Sequence, residues 1–106
     1  KNMTTVIVLF NLLPGADKDA YENWARESDI PAVRRLGSVS GFEVLRMQNM
    51  LSGETETPYQ YAELIQIDSM DGFMDDVKTD AIQEAAKQFR TFADNPLFIV
   101  CESIES

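Results

Sequence analysis

SGFEVLRMQNM, Ser40 to Met50, and YQYAELIQI, Tyr59 to Ile67, stand back to back in the middle of a 106-residue chain. In the first, Phe42, Val44, Arg46 and Gln48 share one face of a strand, and Glu43, Leu45, Met47 and Asn49 share the other. In the second, Tyr59, Tyr61, Glu63, Ile65 and Ile67 oppose Gln60, Ala62, Leu64 and Gln66. Between them, Leu51 to Pro58 carries Gly, Glu, Thr and Pro and reads as an exposed hairpin connection. The middle of the chain is therefore an antiparallel pair, and its flanks decide the topology.

Upstream, Thr4 to Leu13 is almost continuously β-branched or apolar, the pattern of a strand near the centre of a sheet, and Pro14-Gly15 ends it. Asp17 is placed to cap a helix in which Ala20, Tyr21, Trp24 and Ala25 form an apolar stripe. Pro31 is expected to interrupt or kink that helix near Asp29-Ile30, with Ala32, Val33 and Leu36 resuming the pattern as far as Gly37. Downstream, Asp68 or Ser69 caps a second helix whose stripe runs through Phe73, Met74, Val77, Ala81, Ala85 and Phe89. Asn95-Pro96 then turns the chain into a last strand, Leu97 to Ile104.

The order β-α-β-β-α-β is a split βαβ unit. It predicts one ferredoxin-like α+β domain over residues 1–106, with both helices on one face of an antiparallel sheet. The strands are apolar on both sides, and two helices cover only one. A second copy laid sheet to sheet is the economical cover for the other, which predicts a homodimer closed into an α/β barrel around a cavity.

A length of 106 residues with 44% apolar content fills one core and no more. The longest apolar runs, Val6 to Phe10 and Leu97 to Cys101, fall far short of the roughly 20 residues that cross a bilayer. With no basic-then-apolar opening segment, the expectation is a cytoplasmic protein without a membrane partner. Met3 is the natural start if Lys1-Asn2 are not native. A formal charge of −9 opposes a phosphate backbone, so nucleic acid is not expected as a partner. The chain has no histidine, which excludes serine-histidine triads, imidazole acid-base steps and the common zinc sites. Cys101, the single cysteine, is expected as a buried strand thiol. The carboxylate runs Glu54/Glu56, Asp68/Asp71 and Asp75/Asp76 lack a calcium-loop spacing, and no phosphate loop or dinucleotide fingerprint is present, so no metal or cofactor is expected.

WARESDIPAVRRLGSVSGFEVLR, Trp24 to Arg46, resembles the REDY-like family of dimeric α/β-barrel proteins. The likeness is carried by Asp29-Ile30-Pro31, by Leu36, Ser38 and Val39, and by Phe42 to Arg46. The family's named example serves in making bipyrrole precursors of red tripyrrole pigments. The wider EthD-like barrels are similar in having a tryptophan-bearing helix followed by a His-x-Pro triplet. Pro31 matches that proline and Asp29 stands at the histidine, which leaves histidine-borne chemistry without its residue here. Such barrels include cofactor-free monooxygenases, cyclases and decarboxylating enzymes as well as members with no established reaction, and fold kinship alone does not choose among them.

Six residues stand out as a candidate site. Asp29 either caps the resumed helix or points at a ligand as a proton acceptor. Arg46 and Glu63, in adjacent antiparallel strands, could face each other as a cross-strand ion pair, structural or catalytic, in which the arginine fork could also hold a substrate carboxylate or enolate, or they stand as two unrelated edge charges. Tyr61 could donate to a substrate oxygen. Asn11, a polar residue deep in an apolar strand, is a substrate-binding candidate or has a strand-end or hydrogen-bonded interface role, and Trp24, on the inner stripe of the first helix, is a substrate-binding candidate or part of the helix-sheet core. The leading expectation is a small-molecule-binding barrel of secondary metabolism that acts on or carries an apolar aromatic, pyrrole or polyketide-like intermediate. The alternatives are a non-catalytic structural or assembly dimer and a cofactor-independent monooxygenase or cyclase.

Overall fold

The structure is a computed structural model that describes residues 4–104; the reading of Lys1, Asn2 and Met3 lies outside the described residues. The chain runs through β1 (Thr4–Leu12), α1 (Lys18–Trp24), a π-helical turn (Ala25–Asp29), α2 (Ile30–Arg34), β2 (Val39–Arg46), β3 (Tyr61–Ile67), α3 (Met70–Asp76), α4 (Asp80–Phe89) and β4 (Ala93–Glu102). The strands lie in the order β2-β3-β1-β4, every neighbouring pair antiparallel. This is the ferredoxin-like arrangement expected from the split βαβ order.

Alternation along β1 sets the two faces of the sheet. Val6, Val8 and Phe10 are buried under the helices, while Ile7 and Leu9 between them point to the open face. Cross-strand partners share a face, so the register assigns the rest. Glu63 lies between Val8 of β1 and Val44 of β2, and Tyr61 lies between Phe10 and Arg46. Phe10 is the hub of the core: its ring stacks on Tyr61 at 5.5 Å and meets Tyr21 and Phe89 edge-on at 5.6 and 4.9 Å.

The first helix is not broken by Pro31. A proline inside an α-helix lacks the N–H that would bond four residues back, and its ring presses on that carbonyl. Here the turn before it is widened: the Ile30 N–H bonds the Ala25 carbonyl, five residues back, and Pro31 then enters in the first turn of α2. Tyr21, Ala25 and Asp29 are the buried positions of this continuous helical stretch, and Ala20 is exposed. The second helical region, by contrast, is split into α3 and α4 around Val77–Thr79, and Met74 and Ala81 face solvent while Ile82 is buried. Ser69 caps α3 through the Gly72 N–H, and Asp17 caps α1 through the Ala20 N–H.

β4 starts at Ala93, ahead of the expected turn. Asn95 adopts a positive φ of 45° and the β1–β4 register shifts between Leu9 and Asn11, so Asn95-Pro96 forms a bulge within the edge strand. Cys101 is a free thiol on the open face and is half-buried, not buried. Leu45, Leu97 and Ile99, on that same face, are 42%, 45% and 41% exposed.

Candidate functional site

Two concave sites flank Tyr21. The first is a cavity of about 170 Å³ between the helices and the sheet, lined by Asp29 and Glu63 together with apolar side chains that include Val33, Ile65, Phe73, Phe89 and Phe98. Asp29 reaches it because the Tyr21-Ala25-Asp29 spacing carries one stripe down the inner side of the helix, and Glu63 reaches it because its register neighbours Val8 and Val44 face inward. The two carboxyls are 7% and 5% exposed, and no Lys or Arg is among the described residues lining the cavity.

Without a cation, burial favours the neutral acid. Burial pushes Asp29 up to about 6. Burial, and then the charge of Asp29, push Glu63 up to about 8. Both shifts run the same way, so the pair retains protons to higher pH than free carboxyls do. Glu63 Oε2 has no hydrogen-bond partner among the described residues, nor has the buried Tyr21 hydroxyl. A buried polar atom left so costs about 1–3 kcal/mol. Burial first, then the charges of Glu63 and Asp29, hold the Tyr21 phenol well above its usual range.

The second site is a cleft of about 330 Å³ on the other side of Tyr21, lined by Glu22, Arg26, Val44, Arg46, Gln48 and Tyr61 among others. Arg46 grips Glu22 with two hydrogen bonds, Nε to Oε2 at 2.8 Å and Nη2 to Oε1 at 2.6 Å. The Tyr61 hydroxyl donates to Glu22 Oε2 at 2.6 Å, and Arg26 Nη2 reaches Oε1 at 3.3 Å. The hydrogen bonds from Arg46, joined by that from Tyr61, hold Glu22 down at about 2.

This geometry separates the residues expected to act together. Arg46 and Glu63 do not pair: Arg46 is opposite Tyr61 in the register, Glu63 is opposite Val44, and the guanidinium turns to Glu22. Asp29 does not cap α2. Its backbone is helical, at φ −70° and ψ −53°, and its side chain makes no capping bond. Asn11 is a clamp at the sheet end, its Oδ1 accepting the Gln60 N–H at 3.0 Å while Gln60 Oε1 accepts the Leu12 N–H at 2.6 Å. Trp24 donates from Nε1 to Gln88 at 2.5 Å and packs against Tyr21, Phe89 and Phe92. Asn11 and Trp24 are absent from the lining of both sites. Tyr61 lines the cleft, Asp29 and Glu63 the cavity. Of the partners of Glu22, the centre of the cleft, Arg26 stands four residues on along the helix and is legible in the sequence, whereas Arg46 and Tyr61 come from strands distant along the chain and leave no such signal.

Comparisons with known proteins fit this architecture. The family described as REDY-like protein HapK matches residues 4–104. The chain is similar to the crystal structure of HapK from Hahella chejuensis, with 28% identity and a TM-score of 0.76 over 97% of this chain and 94% of that one. An EthD family protein from Bacillus halodurans is similar at 19% identity and a TM-score of 0.76, covering 96% and 99%. A dimeric protein of unknown function with a ferredoxin-like fold from Bacteroides fragilis is similar at 22% identity and a TM-score of 0.70, covering 95% and 96%. At those identities the last two speak for the fold alone. No curated protein sequence matches the chain. Among the described residues, no helix is long and apolar enough to cross a membrane.

Proposed function

This chain belongs to the REDY-like HapK family over residues 4–104, and from that premise we propose that it is a homodimeric protein of secondary metabolism that binds a small, mainly apolar aromatic, pyrrole or polyketide-like metabolite between its sheet and its helices. The observation that carries this reading is the partly open cavity of about 170 Å³ with a largely apolar lining, into which Asp29 and Glu63 bring the only carboxyls among its described lining. Ligand sites of this kind pair an apolar wall with a few orienting polar groups. The Asp29–Glu63 pair supplies the proton acceptor and donor of such a site. Arg46 and Tyr61 serve the cleft instead, where Glu22 occupies them.

Support for the dimer comes from the open sheet face. Ile7, Leu9 and Leu64 lie there beside Leu45, Leu97 and Ile99, an apolar surface of the sort that marks an interface. The similar protein from Bacteroides fragilis is described as dimeric. Two such faces packed sheet to sheet make a closed two-fold assembly with an inner layer of interdigitated apolar side chains.

Titration of the isotopically labelled protein with naphthalene, followed by amide chemical shifts, tests the binding site. Saturable shifts centred on Phe73, Phe89 and Asp29 are expected. Shifts centred on Val44 and Gln48 would move the site to the cleft, and no shifts at all would remove it.

A further inference from the structure

We propose that the Asp29–Glu63 cavity selects a neutral compound of one or two fused rings that carries an N–H or O–H donor beside a carbonyl acceptor, and rejects ligands bearing a carboxylate or phosphate. The inference rests on the reading of this cavity as the binding site and adds the chemical class of its ligand.

Size sets the first limit. The cavity measures about 170 Å³, close to the ~150 Å³ of an apolar cavity that takes benzene and well below the ~300 Å³ at which pockets for larger ligands begin. One ring fits with room to spare, two fused rings fill it, and a longer molecule has to leave the rest of itself outside.

Charge sets the second. Two carboxyls and no Lys or Arg are among the described lining, so an anion entering would face Asp29 among apolar side chains with no compensating charge in the lining. The arginine that could receive an anion, Arg46, is on the other side of Tyr21 and already holds Glu22 at 2.6 Å.

The polar complement sets the third. Two carboxyls in one apolar enclosure do not both ionise, so together they present a carboxylate that accepts and a carboxylic acid that donates. Glu63 Oε2 is buried and without a partner among the described residues, so a ligand that gives it a hydrogen bond on entering removes a cost the empty site carries. The other polar group of the described lining is uncharged: the Gln83 amide of α4, which donates to the Val77 carbonyl at 2.7 Å. A cyclic lactam, or a hydroxyl next to a ketone, satisfies acceptor and donor at once.

The test uses the full chain at about pH 7 and probes sharing a bicyclic frame: 2-quinolone, N-methyl-2-quinolone, naphthalene and 2-naphthoate. Affinities come from calorimetry, and amide shifts at Phe73 and Phe89 locate the site. We expect 2-quinolone to bind at least about tenfold more tightly than its N-methyl analogue or naphthalene, and 2-naphthoate to give no measurable binding. Equal affinity for 2-quinolone, its N-methyl analogue and naphthalene at Phe73 and Phe89 overturns this inference and leaves the cavity reading standing. Binding of 2-naphthoate as tight as that of 2-quinolone overturns it as well. Failure of every probe to bind removes the inference and the cavity reading together.

Discussion

Asp29 and Glu63 enter one cavity from its two walls, the first from the π-helical turn after α1 and the second from the middle of β3, with no lysine or arginine among the described lining residues. Carboxyls so placed are expensive for the fold. A chain that needed only a core at these positions would do better with leucine and isoleucine, which is the physical reason to read the pair as functional. The cost also makes the pair measurable, because it appears as a dependence of stability on pH.

Both folded-state values are raised, Glu63 from 4.5 to about 8 and Asp29 from 3.8 to about 6. A group whose folded value is raised binds its proton more tightly in the folded chain. Its stabilisation is complete below the unfolded value and is lost as pH rises through the folded one. Stability is therefore expected to fall as pH rises from about 4 to about 8. Glu63→Gln should flatten most of the slope above about pH 6 and melt higher than the parent at about pH 8.5. A variant that keeps the parent's slope would place Glu63 in contact with water.

Glu22 has the opposite sign. Hydrogen bonds from Arg46 lower it from 4.5 to about 2, so its contribution is present above its unfolded value and is lost as pH falls through the folded one. Arg46→Met is expected to move the Glu22 carboxyl up by at least about 1 unit, read by carbon-13 NMR titration, and to leave naphthalene binding in the cavity unchanged. Weaker naphthalene binding in that variant would mean that cleft and cavity act as one site.

The proposed dimer depends on the open face of the sheet. Ile99→Asp puts a charge on that face in the edge strand, opposite Ile7, and should shift the protein to monomer in sedimentation velocity at micromolar concentration. Leu51→Asp, in the exposed connection between β2 and β3, should not. A dimer that survives Ile99→Asp would have to be built on another surface.

The strand alternation and the element order were open to reading because side-chain direction in a strand repeats every two residues whatever the tertiary context. The burial of Asp29 was also written in the chain, as the four-residue spacing Tyr21-Ala25-Asp29. It was obscured by Pro31, whose expected effect is to end a helix; a single widened turn resolved the conflict in another way. That Arg46 and Glu63 stand apart could not be read from the strands, for a different reason. Register across the long connection from Met47 to Gln60 has no tight turn to set it, and an offset of two residues keeps every side chain on its proper face while exchanging its partner. Glu22, which takes the place of Glu63 beside Arg46, comes from α1, and a contact between a helix and a strand so distant along the chain leaves no periodic mark.

Tyr21 offers the last test, because its hydroxyl is fully buried and has no hydrogen-bond partner among the described residues. Its ring is fixed on several sides, edge-on to Phe10 at 5.6 Å, to Tyr61 at 4.9 Å and to Phe92 at 5.6 Å, so the hydroxyl cannot turn out to solvent without breaking the aromatic hub. Removing an unsatisfied buried hydroxyl while keeping the ring recovers its desolvation cost. Tyr21→Phe is therefore expected to leave the ligand-free protein as stable as the parent or more stable by about 1 kcal/mol in urea denaturation. A loss of more than about 1 kcal/mol would show that the hydroxyl is satisfied in solution by a water bridging to Glu63. In that case the bridging water, and not Glu63 Oε2 alone, would be what a ligand displaces on entering the cavity.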